Sequence, residues 1–313
     1  MESSNGVSLE KFTWKDLEMF TNNFSEKIFI DVTQYGKVYH GTTPQGQGVT
    51  VKIWGNFGFY PHFGVKNDVR LQQELRFLGH SSMQNNPCLV KLIGYCIDGD
   101  DHLGVVYNIK SRDAFTWTDR MGVALKFACL LETLHSDDPP YLVRNIDAAH
   151  ILLDQDFVPV LFDFSLLTGG IFGDCQTMDF PSMPVGYVDG VYSYTGHYAK
   201  RSDVFAFGVV LLMLITKRVG ARVTKKKRDN MPMDMAERCV YVWAEIEYKR
   251  LSKMIWTKPS LVHKSLKVDT CFESQHGLAM RCVKRLDPFG ELDGQGKRPS
   301  MTEVVRSLQS ICM

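Results

Sequence analysis

The chain has 313 residues, of which 44% are hydrophobic and 23% are charged. This composition is typical of a folded globular protein and excludes an intrinsically disordered one, and the length suffices for a large core. The formal net charge of +1 excludes a whole-chain attraction to nucleic acid or to an anionic membrane surface.

We expect neither a transmembrane segment nor a metal site. Residues 1–5 have no apolar core, and Glu2 stands where N-myristoylation needs glycine. No apolar run approaches the ~18 residues of a membrane span. The eight cysteines lie in apolar segments without a CxxC pair, which favours reduced core residues over metal ligands or disulfides. The prediction is a cytoplasmic protein that reaches the plasma membrane only through partners.

The first third of the chain predicts a lead-in helix and then a β-rich unit. Residues 12–25 are amphipathic, as a surface helix requires. Strand-like alternation follows, with one intervening helical pattern, at residues 30–41, 49–53, 71–78 (the helix), 89–96 and 103–108. Residues 54–63 are rich in glycine and aromatics, which predicts either a packed loop or an exposed patch for a partner.

The rest of the chain predicts helices. An apolar stripe at helical spacing begins near Trp117, and residues 202–209 form a strongly apolar segment. Aromatic and apolar residues at 240–256 and 278–283 predict further core helices. A basic run consists of Lys225, Lys226, Lys227 and Arg228. It is either a polyanion-binding or nuclear-localisation patch or a solvated loop.

Two stretches of the second half resemble protein-kinase motifs. The sequence RNIDAAH at residues 144–150 precedes an apolar strand, and DFS follows at residues 163–165. This frame resembles the kinase catalytic loop, His-Arg-Asp followed by Lys and Asn, and the downstream Asp-Phe-Gly. Together with the opening segment at residues 12–25 and KRPSM at residues 297–301, nearly the whole chain resembles plant receptor-like kinases of the Pelle family and their cytoplasmic relatives.

The resemblance implies an α+β, bilobal protein-kinase-like fold. A lead-in segment would occupy residues 1–26. A small antiparallel β-sheet lobe with helix C would follow over residues 27–108, and a larger helical lobe over residues 109–313.

The resemblance also implies a nucleotide site. Lys52 would pair with phosphates, Glu74 of helix C would pair with Lys52, and Asp163 would hold a metal ion. Each has a plainer alternative: the Lys52–Glu74 pair holds the small lobe together, and Asp163 is a hydrogen-bonded loop carboxylate. Tyr107 would be the gatekeeper, and Asp203 would accept hydrogen bonds from catalytic-loop amides.

Three positions of the catalytic loop depart from the family. Asn145 replaces the catalytic Asp and cannot take up a proton at neutral pH, which removes a general-base contribution of ~10²–10⁴-fold. Asp147 replaces a Lys and brings negative charge towards phosphates. His150 replaces the metal-binding Asn and offers nitrogen where magnesium prefers oxygen. We therefore predict no catalytic residues, no bound metal and no enzymatic activity, that is, a pseudokinase.

The glycine-rich phosphate loop is also altered. Asp31 and Thr33 occupy its first two glycine positions, and only Gly36 and the following Gly41 remain. Side chains there oppose the close approach of backbone amides to phosphates. No cofactor is therefore required, although Lys52, Glu74 and Asp163 together could hold ATP.

The segment after DFS has two further features. Arg144 either pairs with a phosphate on Thr177, Ser182 or Ser193, or hydrogen-bonds the loop backbone. The family motif Ala-Pro-Glu is replaced by DGV at residues 189–191, which removes the usual partner of Arg298. A buried cation needs a carboxylate, so we expect Arg298 to find another one or to move to solvent.

The resemblance implies a protein-binding adaptor or decoy in plant immune signalling. Its partners would be an intracellular leucine-rich-repeat receptor and receptor-like cytoplasmic kinases, with no nucleic acid involved. The alternative is a nucleotide-binding, weak or unconventional serine/threonine kinase in receptor-like kinase signalling.

Overall fold

The computed structural model describes residues 9–33, 35–55, 66–83, 85–108, 116–154, 156–164, 166–173, 186–218, 239–252, 261–263, 266, 272–286 and 297–312. They divide into two units, one from Met1–Asp113 and Ala149–Leu167, the other from Ala114–Ala148, Thr168–Cys175 and Met183–Met313. A β-sheet unit and a helical unit confirm the predicted α+β fold. Several predicted features lie outside the described residues, namely the aromatic segment at 56–63, Ser165, Thr177, Ser182 and the basic run at 225–228.

Six strands form the sheet of the first unit: β1 (Glu10–Phe12), β2 (Phe29–Thr33), β3 (Gly36–Thr42), β4 (Gly48–Trp54), β5 (Leu92–Asp98) and β6 (His102–Tyr107). Their order across the sheet is β1-β5-β6-β4-β3-β2. Neighbouring strands are antiparallel except β1, which runs parallel to β5. A second, two-stranded sheet pairs β7 (Ile151–Leu153) with β8 (Pro159–Leu161), and α2 (Asn67–Leu78) is the predicted helix C.

The lead-in segment differs from the single helix predicted for residues 12–25. Residues 10–12 form β1, and a helix, α1, spans Trp14–Phe20. Thr13 separates the two, because its hydroxyl accepts from the Asp16 amide while the Asp16 carboxylate accepts from the Thr13 amide. This capping box fixes the helix start and leaves the preceding residues extended. Phe12 then packs edge-on against Phe20 inside the core of the first unit.

The fourth predicted strand begins later than expected. Residues 89–96 alternate like one strand, yet β5 begins at Leu92. The reason is that Leu89 forms a bridge with Leu161, and the Val90 amide donates to the Leu161 carbonyl at 3.1 Å. The residues before β5 therefore pair with β8 instead of continuing the large sheet.

The second unit contains the helices α3 (Trp117–Ser136), α4 (Gly190–Thr195), α5 (Lys200–Thr216), α6 (Val240–Ser252), α7 (Phe272–Cys282) and α8 (Met301–Cys312). Residues 202–212 of α5 are all buried, so this helix is surrounded by other elements of the unit. A Cβ atom at Gly208 would lie 2.5 Å from Cys282 Cβ, so glycine permits the close approach of α5 and α7. None of the helices in the described ranges has the length and apolar character that a bilayer crossing requires.

Candidate functional site

Three charged side chains predicted as site residues meet inside the first unit. Lys52 lies on β4, Glu74 on α2, and Asp163 two residues after β8. Lys52 Nζ is 2.6 Å from Asp163 Oδ1 and 3.5 Å from Glu74 Oε2, and the three side chains are 0–1% exposed. Because an isolated buried charge is strongly destabilising, this cluster holds β4, α2 and the segment after β8 together.

Glu74 also accepts two hydrogen bonds. Tyr107 donates its hydroxyl proton to Glu74 Oε1 at 2.5 Å, and the Asp163 amide donates to the same oxygen at 3.0 Å. Burial raises the pKa of the Glu74 carboxyl, and the Lys52 ammonium offsets only part of that rise. Burial likewise raises the pKa of the Tyr107 hydroxyl, so it remains a donor. The residue predicted as gatekeeper thus ties β6 to α2, a role that its sequence position did not reveal.

Asp163 faces a nitrogen at each carboxylate oxygen. Lys52 lies at Oδ1, and His150 Nε2 lies 3.3 Å from Oδ2. Burial alone would raise the pKa of Asp163, but the Lys52 ammonium and the His150 ring outweigh this and hold the pKa well below its usual range. The backbone of Asp163 has φ 62, in the left-handed region that non-glycine residues rarely adopt. The carboxylate is therefore ionised and already engaged by this chain's own groups.

Magnesium fits this donor set poorly. His150 is fully buried and presents a ring nitrogen to the one carboxylate that would hold the ion. Magnesium prefers oxygen ligands in octahedral geometry. Within the described ranges, no group of three or more His, Cys, Asp and Glu side chains is arranged to hold a metal ion.

Trp54 adds an aromatic face to the lysine. Lys52 Nζ lies 3.8 Å from the centre of the Trp54 ring, which is 2% exposed. The two residues are two positions apart on β4, so their side chains project from the same face of the strand. A cation over an indole ring in a dry site is a favourable contact. Strand alternation could have revealed this pairing, but Trp54 was assigned to the following loop.

A β-hairpin occupies the position of the phosphate loop. Strands β2 and β3 pair with Thr33 opposite Gly36, and Tyr35 lies between them. The guanidinium of Arg70, on α2, lies 3.6 Å from the centre of the Tyr35 ring. A Cβ at Gly36 would lie 2.3 Å from the Ile53 carbonyl oxygen, so glycine is required by the closeness of β4. The tip of the hairpin is thus fastened to helix C.

Asp203 organises the catalytic-loop frame in the second unit. It accepts from the backbone amides of Val143 at 3.0 Å and Arg144 at 3.1 Å, which confirms its predicted position. It also accepts from the Tyr198 hydroxyl at 2.6 Å, and His135 Nε2 lies 3.0 Å from it. Arg144 has φ 67, so the two amides and the carboxylate hold an uncommon backbone conformation in place.

The side chains of this loop are turned inward. Arg144 donates to the Tyr192 hydroxyl at 3.1 Å, a contact that neither of the alternatives suggested by the sequence included. Asn145 and Asp147 are also buried, at 1% and 4% exposure. The loop therefore keeps the backbone conformation expected of a kinase catalytic loop, although Asn145 and Asp147 replace two of the family's residues.

Arg298 has found another carboxylate, as one of its two expected outcomes required. A guanidinium nitrogen of Arg298 lies 2.7 Å from Asp189 Oδ1, and both side chains are 1% exposed. Asp189 caps α4 by accepting from the Val191 amide and also accepts from the Ser202 hydroxyl. Asp189 lies two positions before Val191, which occupies the position of the family's Glu. An acidic residue close to that position was therefore the sequence signal that could have identified the partner of Arg298.

Comparison with known proteins places the chain among plant kinases. No family model matches it. The probable serine/threonine-protein kinase PBL26 of Arabidopsis thaliana is 32% identical, with 98% of this chain and 72% of the relative aligned. The chain belongs to the plant receptor-like cytoplasmic serine/threonine kinase family.

The share of a relative's length that aligns with this chain differs from one relative to the next. Receptor-like kinase LIP2 of Arabidopsis thaliana is 36% identical over 72% of this chain, which spans only 42% of that relative. The EPD1-interacting receptor-like cytoplasmic serine/threonine-protein kinase 5A of Gossypium barbadense is 30% identical over 98% of the chain, which spans 65% of it.

The prediction that this family member is not an enzyme is wrong. Relatives that are 32–36% identical are named kinases, and they point to a kinase. The prediction took the replacements at Asn145, Asp147 and His150 as decisive. Substitutions at single positions do not show inactivity, and the Lys52–Glu74–Asp163 cluster remains assembled. The assignment of these three residues to an ATP site stays a prediction.

Proposed function

We propose that this kinase-family chain binds other proteins in plant kinase signalling, and that its first unit offers them a preformed surface. The observation that carries the proposal is the buried Lys52–Asp163 ion pair, 2.6 Å long. A site whose charges lacked internal partners would require a ligand for order, because buried charges must be paired. Here the chain itself supplies the pairing, so the free-energy cost of ordering the unit when a partner binds would be small.

The partners belong to plant immune signalling in this proposal. They are an intracellular leucine-rich-repeat receptor and receptor-like cytoplasmic kinases, met in the cytoplasm or at the plasma membrane through those partners. Support comes from the kinase-family resemblance. A relative whose name describes it as EPD1-interacting also supports it, because that kinase is named for contact with another protein.

Affinity capture tests this proposal. The full chain, immobilised and supplied with plant cytosol, should enrich a leucine-rich-repeat receptor or a receptor-like cytoplasmic kinase, identified by mass spectrometry. The matched bait is the relative PBL26, which aligns with 98% of this chain. Recovery of the same proteins in the same amounts by both baits would contradict a specific binding role for this chain.

A second candidate function is phosphoryl transfer to protein hydroxyl groups with ATP. The observation that favours it is that Lys52, Glu74 and Asp163 lie together, as the kinase resemblance implies. Lys52 would hold phosphate oxygens once its contact with Asp163 opened. ATP with and without magnesium should then raise the melting temperature by mass action, and phosphorylated product should form. Absence of both effects would exclude this second candidate.

A further inference from the structure

A cleft of about 540 Å³ lies within the second unit. It is lined by the C-terminal part of α3, the beginning of α5, the end of α7 and the beginning of α8. Four of its lining residues are exposed cations, and we call it the basic cleft after them: Lys200, Arg201, Arg281 and Lys297. None of these residues belongs to the Lys52 cluster or to the catalytic-loop frame.

Carboxylates of the described residues balance only part of the positive charge of the basic cleft, and one of them, Glu303, interacts electrostatically with Arg281. Among the described residues, none of the four cationic side chains forms an ion pair. Two carboxylates, Glu132 and Glu303, also line the cleft. The Glu303 carboxylate accepts from the Ser300 amide at 2.7 Å and from the Ser300 hydroxyl at 3.0 Å, so it caps α8. Among the described lining residues, these four cations therefore outnumber the carboxylates by two.

One further cation beside the cleft already has partners inside the unit. Arg298 lines the cleft but is already engaged, donating to the carbonyls of Lys284 at 2.8 Å and Arg201 at 3.0 Å and pairing with Asp189. Its charge is thus committed inside the unit and does not add to the excess. Because these bonds fix the backbone next to Arg201 and Lys284, the surrounding cations project from a preformed frame.

An excess of two positive charges in a concave site suits a phosphoryl group. A phosphorylated serine or threonine carries about −1.5 to −2 charges near pH 7 and three acceptor oxygens, whereas an Asp or Glu side chain carries a single negative charge. Arginine binds such groups through paired N–H donors. We propose that the basic cleft binds a phosphorylated serine or threonine of a protein partner. This inference rests on the proposed function that the chain binds proteins. A flat lipid surface could not reach into the concavity, so a membrane is the less favoured occupant.

Fluorescence anisotropy of the full chain tests the inference. The probe is a fluorescein-labelled Gly-Ala-phosphoserine-Ala-Gly peptide, compared with its unphosphorylated form. The variant Lys200→Glu/Arg281→Glu should weaken phosphopeptide binding by at least about tenfold, because two charge-assisted contacts become repulsive. The control Lys15→Glu/Lys91→Glu makes the same charge change at exposed residues of the first unit and should leave affinity within about twofold.

Three results would overturn the inference: equal binding of the two peptides, unchanged affinity in the cleft variant, or binding to phosphatidylserine vesicles without binding to the phosphopeptide. Thermal melting checks that each variant is folded, and Lys200→Gln/Arg281→Gln repeats the test without charge reversal. The peptide assay needs no captured partner, so failure of the capture experiment would overturn the proposed function while the peptide result still reports on the cleft.

Discussion

Asp189 and Arg298 form an ion pair in the interior of the second unit, 2.7 Å long and 1% exposed at each side chain. The carboxylate comes from the N-cap of α4, while Val191 stands where the kinase family carries its Glu. Arg298 also donates to two backbone carbonyls. The pair therefore links the beginnings of α4, α5 and α8 through a single guanidinium.

Breaking this pair should destabilise the whole chain. Arg298→Met removes the cation and leaves Asp189 as a buried carboxylate without its partner, so the free energy of unfolding should fall by about 3–5 kcal/mol. Urea unfolding measures the change. As a control, Lys249→Met breaks the Lys249–Glu245 pair, whose lysine is 70% exposed, and should cost at most about 0.5 kcal/mol. Equal losses in the two variants would contradict the importance assigned to burial.

The Lys52 cluster predicts a non-additive pair of substitutions. Lys52→Met alone leaves Asp163 and Glu74 buried without their cation and should cost about 3–5 kcal/mol. Adding Asp163→Asn removes one uncompensated charge, so the double variant should be more stable than Lys52→Met by at least about 1 kcal/mol. A double-mutant cycle measured by denaturant unfolding gives the coupling. If the two single effects simply add, the two side chains do not depend on each other as the geometry indicates.

The two buried carboxyls should respond to pH in opposite directions. Glu74 has a raised folded-state pKa, so its contribution to stability is fully present below its ordinary value of 4.5 and is lost as pH rises through the folded pKa. Asp163 has a lowered folded-state pKa, so its contribution is present above its ordinary value of 3.8 and is lost as pH falls.

The free energy of unfolding, measured at several pH values between about pH 3 and about pH 7.5, gives these opposite slopes. The advantage of the wild type over Glu74→Gln should shrink as pH rises, and its advantage over Asp163→Asn should shrink in acid. Parallel profiles for the wild type and both variants would show that neither carboxyl has a shifted pKa.

The Tyr107 hydroxyl should contribute measurably to the first unit. Tyr107→Phe removes a donor to the buried Glu74 and should lower the free energy of unfolding by about 1.5–3 kcal/mol. Tyr39→Phe is the matched control, because the Tyr39 ring is also buried but its hydroxyl forms no hydrogen bond with another described residue. That variant should change stability by less than about 0.5 kcal/mol. A similar loss in both variants would assign the effect to ring packing.

The sequence was sufficient to predict features that depend on local pattern or on motif order. Alternation located the strands around Lys52, and motif order placed Asp203 against the amides of the catalytic loop. The boundary between β1 and α1 was missed, although the Thr13–Asp16 capping box is visible in the sequence. The apolar stripe continues through the cap, which is why the pattern over residues 12–25 favoured a single helix.

Pairings between distant residues could not be predicted. The partner of Arg298 lies 109 positions away, and Tyr107 reaches Glu74 across 33. Such contacts depend on how elements pack, and several acidic or hydroxyl residues compete for each donor in a sequence. His150 shows the same limit. The sequence identifies it only as the replacement of a metal-binding Asn, and its contact with Asp163 is visible only in the structure.

The most direct test of the proposed function is affinity capture from dialysed plant cytosol, with the intact chain as bait in parallel runs without nucleotide and with added ATP. Because the Lys52–Asp163 pair already satisfies the buried charges, both runs should recover the same leucine-rich-repeat receptor or receptor-like cytoplasmic kinase in similar amounts. Recovery of neither class of protein by the intact chain, or recovery only after ATP is added, would contradict the account.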